Sequence, residues 1–299
     1  MARCCRGSRP GDTTLATLTQ MLRRAVVLGG GGVTGVAWEV GLLLGLADAG
    51  VDLGTADLLV GTSAGSVVAA QVASGVALEQ MFARQVESAS GEIGARIGWT
   101  YGLRLLWPWL RAGGNPERFR TRVGALARAA RTVPEQDRRA VIAARLPVHE
   151  WPDRSLLITA VDATDGTFVV FDRQAGVPLV DAVAASCAVP LVWPPVTVGA
   201  RRFMDGGMRS AANADLASGF DRIVIVAPLS RGGGPIPGPR SQADALRAQG
   251  ARVVLVTPDA DSVAAIGANV LDPARRAPSA HAGRQQAGSE AAEISAVWS

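Results

Sequence analysis

Short runs of β-branched and aliphatic residues alternate along the chain with longer stretches of helical spacing. Ala25–Leu28 is an unbroken apolar run ending in glycines, the pattern of a buried strand. Gly35–Ala49 repeats Val36, Val40, Leu43, Leu44 and Ala47 at helical intervals and stops at Gly50, a capping residue. Asp57–Val60 predicts a second strand, Gly65–Ala73 a small-residue helix and Leu78–Ser88 another helix. Pro116–Arg131 and Pro134–Arg145 predict amphipathic, arginine-studded helices opened by proline. Ser155–Val161 and Thr167–Asp172 flank Asp165-Gly166, and Val196–Val198 and Arg201–Met204 flank Gly199-Ala200, so each pair predicts a hairpin. Leu179–Cys187 reads as an apolar helix, and Asp221–Ala227 and Arg252–Thr257 as buried strands. Ser230–Arg240 reads as a Gly/Pro loop, and 273–299 as a final helix with a frayed tail. Strands alternating with helices predict an α/β sheet covered by helices on both faces. No internal repeat or convincing boundary divides it.

Composition narrows the class. The chain has 299 residues, 48% of them apolar and 19% charged, which supports a large packed core and excludes a disordered chain. Three cysteines (Cys4, Cys5, Cys187) supply neither a disulfide framework nor a four-ligand zinc site, and they fit a reducing compartment. The net charge is +4, but the arginines are scattered among Asp and Glu, with no basic block interleaved with aromatics. Nucleic acid is therefore not an expected partner. No apolar run follows the early arginines, so no secretory signal is read. The longest uncharged run, Ala182–Ala200, is broken by Pro190, Pro194 and Pro195 and does not predict a membrane span. The expectation is a cytoplasmic protein, with peripheral membrane contact left open.

Three segments carry chemistry. Gly29-Gly30-Gly31-Gly32-Val33-Thr34-Gly35 joins a strand to a helix, where free amides attract negative charge. Gly30, Gly32 and Gly35 fit a dinucleotide-binding pattern, with Asp52 near the ribose position. The same amides also suit an oxyanion hole, and a plain tight turn is the third reading. Gly61-Thr62-Ser63-Ala64-Gly65 is a G-x-S-x-G between a strand and a helix, the context of a nucleophile elbow. Asp205-Gly206-Gly207 puts a carboxylate at a strand end before two glycines. Only His149 and His281 exist as histidine bases. His149 reads as a surface loop residue and His281 as part of a tail, so Asp205 is the expected partner of Ser63. A Ser–His–Asp esterase using His281 is the alternative.

The ordered set of Gly30–Gly35, Gly61–Gly65 and Asp205–Gly207 resembles the patatin-like phospholipase family. Ala185–Pro190 running to Pro194-Pro195, and Asp205–Ser210 through Asn213-Ala214-Asp215, resemble it too. The resemblance spans about residues 24–230. It implies a three-layer α/β/α sandwich with a mainly parallel central sheet, and lipid acyl-ester hydrolysis by a Ser63–Asp205 dyad. It implies an oxyanion hole from the amides of Gly30 and Gly31, with Gly32 as a third donor. It implies motif roles for Gly35, Gly61, Gly65, Gly206 and Gly207, and neither metal nor cofactor. Gly29 and Thr34 depart from the family pattern, which often has Asp and a basic residue there. Acyl transfer to an acceptor other than water is a related alternative. On this reading residues 1–22 form a flexible extension, 23–270 the catalytic domain and 271–299 a C-terminal helix or tail. The odd segment 95–111, with Trp99, Tyr101, Trp107 and Trp109 among Leu and Arg, reads as core packing, as an acyl-site wall or as a membrane-interface element.

Overall fold

The computed structural model describes residues 22–87, 94–96 and 99–299. The N-terminal extension with Cys4 and Cys5, and the end of the helix expected to reach Ser88, lie outside the described residues.

Five strands make a parallel core: β1 (Arg24–Leu28), β2 (Leu58–Gly61), β3 (Ser155–Asp162), β7 (Arg222–Val226) and β8 (Arg252–Val256). Three antiparallel strands complete the sheet: β4 (Phe168–Phe171), β5 (Val196–Val198) and β6 (Arg201–Asp205). The order is β5-β6-β3-β2-β1-β7-β8, with β4 also paired to β3. Both hairpins read from the sequence form.

Helices cover both faces. Val26, Leu28 and Leu59 point to one side, into a cluster with Trp38, Leu42, Val67 and Val183. Ala25, Val27, Leu58 and Val60 alternate to the other side and pack with Ile223, Ala243 and Leu246. This strict alternation, apolar on both sides, is what a doubly covered sheet requires. The first side carries α1 (Gly32–Asp48), α2 (Ala64–Ala73), α3 (Leu78–Val86), α7 (Leu179–Ser186) and α10 (Arg276–Trp298). The chain also forms α4 (Trp99–Ala112), α5 (Pro116–Ala129), α6 (Glu135–Arg145), α8 (Pro239–Ala248) and α9 (Ala260–Ile266). The architecture is the expected three-layer α/β/α sandwich with a mostly parallel sheet.

Two differences from the sequence reading have physical causes. Helices α8 and α9 were hidden by short apolar patterns, α8 beside the Gly/Pro loop and α9 after β8; α8 packs on β8 and α9 against α10. The end of α10 is docked rather than frayed. Trp298 is buried, its Nε1 donates to the Asp52 carbonyl at 3.0 Å, and Arg24 stacks over its ring.

Candidate active site

The site lies at the carboxyl ends of β1 and β2, beside the point where the connections leave the sheet on opposite sides (β1 to β2 one way, β7 and β8 the other). Open α/β sheets bind ligands there. β2 ends at Gly61 and α2 begins at Ala64, so Ser63 sits on a two-residue corner. Its φ of 52° and ψ of −117° are a strained conformation for a non-glycine residue, costing on the order of 1–3 kcal/mol. The flanking glycines make that corner possible. A Cβ on Gly65 would lie 2.0 Å from the Leu28 carbonyl oxygen, and one on Gly61 would lie 2.5 Å from Ser66 Cα.

Asp205 closes β6, paired in register with Ala160 of β3. The Ser63 hydroxyl donates to Asp205 Oδ2 at 2.7 Å, across 142 positions of sequence. Asp205 Oδ1 accepts from the Gly207 amide at 2.7 Å, which fixes the carboxylate plane. Gly206 lies against Thr159, where a Cβ would meet its hydroxyl at 2.3 Å. Burial raises the Asp205 carboxyl to about 6, and the bonds from Ser63 and Gly207 and the charge of Arg138 hold it below what burial alone would give. A carboxylate in that range is a stronger proton acceptor than a solvated one.

The glycine loop is divided. The Gly29 amide donates to the Val226 carbonyl at 2.9 Å, and the Gly30 amide to the Ala211 carbonyl at 2.8 Å. Gly30 therefore lacks the free N–H expected of it; it instead brings the loop against Ser63, whose Cβ would be 3.5 Å from a Gly30 Cβ. The amides of Gly31 and Gly32 have no hydrogen-bond partner among the described residues. Gly32 has a φ of +63° and shares a cleft with Ser63. Gly35 lies inside α1, its amide bonded back to Gly31 O at 2.9 Å.

The dinucleotide reading meets an obstacle. The Thr34 amide and hydroxyl both donate to the Val270 carbonyl at 3.2 Å, so an acceptor already occupies that part of the α1 N-terminus. Asp52, the expected ribose ligand, caps its own turn by accepting from Gly54 N at 2.7 Å. The departure at Thr34 is thereby explained: the position is fully buried and bonded inward.

Neither histidine is hydrogen-bonded to Ser63 or Asp205. His281 meets Phe82 edge-on at 5.4 Å, where α3 faces α10, and His149 Nε2 lies 3.1 Å from the Ala143 carbonyl.

Sequence reading missed several supporting groups. The Ser63 amide donates to Ser186 Oγ at 2.9 Å, and the Ser63 carbonyl accepts from Ser66 Oγ at 2.6 Å and from Cys187 Sγ at 3.2 Å. Burial and the Asp205 charge push the Cys187 thiol up to about 11, so it stays a neutral donor. Asn213, at a left-handed φ of 53°, donates to Thr62 Oγ1 and to the Ser210 carbonyl, both at 3.0 Å, tying the elbow to the segment after Asp205. The Ala185–Cys187 and Ser210–Asp215 stretches had signalled themselves by resemblance without a physical role; these bonds supply it. Arg138 gave no signal, because its helix read only as amphipathic and arginine-studded, with nothing to single out one arginine. It is nonetheless buried, 4.0 Å over the Trp193 ring and close enough to act on Asp205. The cleft at Ser63 holds only about 20 Å³ and is closed by Arg138, Val189, Trp193 and Leu271. That is room for one water-sized group.

The sequence model of the patatin-like phospholipase family matches residues 26–218, more than half of the chain. The chain belongs to the patatin-like phospholipase family, and membership makes it a hydrolase acting on lipid acyl esters. No curated protein has a sequence similar enough to match it. Among solved structures, VipD from Legionella pneumophila is similar at 11% identity and a TM-score of 0.45, covering 91% of this chain and 67% of VipD. The type III effector ExoU is similar at 18% identity and a TM-score of 0.40, covering 91% of this chain and 53% of ExoU. ExoU of Pseudomonas aeruginosa, in complex with SpcU, matches at 17% identity and a TM-score of 0.35, with 87% of this chain and 52% of that one covered. The chain thus spans about half the length of ExoU.

Proposed function

We propose that the chain cleaves the acyl ester of a lipid through an acyl-enzyme on Ser63, with Asp205 as its base. The observation that carries this is the 2.7 Å bond from the Ser63 hydroxyl to a buried carboxylate, made at a strained elbow. Ser63 Oγ attacks the ester carbonyl and passes its proton to Asp205 Oδ2. The carbonyl oxygen takes up negative charge facing the free amides of Gly31 and Gly32, at the start of α1, where the helix dipole adds to them. The tetrahedral species collapses, and the leaving alcohol takes the proton back from Asp205. Water, deprotonated by the same carboxylate, then releases the fatty acid and restores Ser63. No cofactor or metal takes part in these steps. Peripheral contact with a lipid surface belongs to this reading, because the ester lies in a membrane or micelle. Among the described residues no helix is long and apolar enough to cross a membrane.

A fluorophosphonate probe should label Ser63, and Ser63→Ala should lose both label and hydrolysis. Labelling elsewhere with hydrolysis intact overturns the reading. An acyltransferase would use the same dyad; product ratios with and without added alcohol separate the two.

A further inference from the structure

Helix α4 carries two apolar faces. The inner one repeats Tyr101, Leu105, Pro108 and Ala112, and Leu105 and Ala112 pack with Phe119, Val161 and Met204. The outer one repeats Leu103, Leu106, Trp107 and Leu110, the i, i+3, i+4, i+7 spacing of a single stripe. Those four side chains are 52, 40, 61 and 62% exposed. A helix on the surface of a soluble domain turns a polar face to water, so this stripe is an exposed apolar patch in need of a partner.

Its surroundings indicate which partner. Arg104 and Arg111 project together along one flank of the stripe, and no Asp or Glu occurs between residues 99 and 116. The Arg111 guanidinium lies 4.3 Å over the Trp107 ring, so its stem covers apolar surface while its charge stays at the edge. An apolar stripe with an aromatic, flanked by cations and free of anions, complements the boundary between lipid headgroups and acyl chains. The inner face of the same helix reaches toward the site: Leu105 and Ala112 pack in one cluster with Met204, the residue next to Asp205.

We propose that the outer face of α4 is the docking surface for an anionic lipid bilayer, laying the mouth of the Ser63 cleft on the membrane. The proposal rests on the lipid-ester reading for its purpose but not for its test. The 20 Å³ cleft is too small for an acyl chain, so a helix that bridges bilayer and site is also placed to couple docking to opening.

The test uses the full chain carrying Ser63→Ala, so that hydrolysis neither contributes nor interferes. Flotation is measured on vesicles of phosphatidylcholine alone and with 30% phosphatidylglycerol. The expected result is binding to the anionic vesicles that falls at least tenfold in Leu106→Ser/Trp107→Ser. Arg104→Gln/Arg111→Gln, which leaves the apolar surface intact, should lose about thirtyfold on anionic vesicles and little on neutral ones. Melting curves confirm that each variant folds. Absence of binding to the anionic vesicles, or equal binding by both double variants and their parent, overturns the proposal. So does a dimer that Trp107→Ser dissociates without any effect of vesicles, since a second copy of the chain would then be the partner. Absence of fluorophosphonate labelling at Ser63 in the parent chain, alongside normal flotation of the Ser63→Ala chain, would refute the hydrolase reading alone.

Discussion

Helices α1 and α4 are both apolar on more than one face, and the molecule treats them in opposite ways. Of the 17 residues of α1, 14 are buried. It packs against α10, α2 and α3, touching α10 so closely that a Cβ on Gly41 would lie 2.0 Å from the Ala280 carbonyl oxygen and one on Gly283 would lie 2.2 Å from the Trp38 carbonyl oxygen. Every apolar face of α1 has found a partner within the chain, and its N-terminus is thereby held rigid beside Ser63. Among the described residues, helix α4 leaves the face of Leu103, Leu106, Trp107 and Leu110 uncovered. The contrast separates apolar surface spent on building the site from apolar surface left for a substrate-bearing phase. It implies that substitutions near α1 act on stability or chemistry, and those on the outside of α4 on access to lipid.

That separation can be broken at several points. Ser63→Ala should lower kcat by about 10⁴-fold or more, measured on a soluble short-chain ester, while leaving vesicle binding intact. Gly283→Val forces a side chain into the backbone of α1 and should cost about 2–3 kcal/mol, read as a lowered Tm. Asp205→Asn should abolish hydrolysis and yet raise Tm at pH 8. The folded carboxyl titrates at about 6 against an ordinary 3.8, so the folded state holds the proton more tightly. The stability tied to that proton is complete below 3.8 and is lost as pH rises to 6, on the order of 3 kcal/mol. The amide escapes that loss, so its advantage should be larger at pH 8 than at pH 5. Hydrolysis by the parent enzyme should follow the opposite sign, since the carboxylate is the working form. The rate should be level above pH 7 and about tenfold lower at pH 5. Smallest of all, Trp107→Ala should change Tm by less than the equivalent of about 0.5 kcal/mol, as expected of an exposed position. A large loss there would mean that α4 is structural and would erase the contrast.

Much of the fold was legible because strand and helix signals here are local. The apolar runs at β1, β7 and β8 are short and β-branched and that at β2 is short and ends in glycine, so each reads as a strand, and the two Gly-containing turns announced their hairpins. The two glycines of the elbow were legible as well, since tight corners admit few residue types. The division of the glycine loop was not. Gly30 and Gly31 are identical in sequence, and only the approach of the Ala211 carbonyl decides that one amide is spent and the next is free. Arg138 was illegible for a similar reason: the spacing of α6 marks a helix but does not show that Trp193, 55 positions onward, will cover one of its arginines.

The order of the three motifs along the chain, and the residue types within them, were set before any folding: a nucleophile between small neighbours, a carboxylate before glycines, a run of flexible amides. Their meeting was set by the sheet. β2 and β6 meet end to end along one edge of β3, the one parallel to it and the other antiparallel, with β4 on the opposite edge; Gly61 pairs with Ile158 and Asp205 with Ala160, and that register turns a remote Asp toward the serine. Burial at that meeting point lifts the acid to about 6, a property that depends on excluded water and therefore exists nowhere in the unfolded chain.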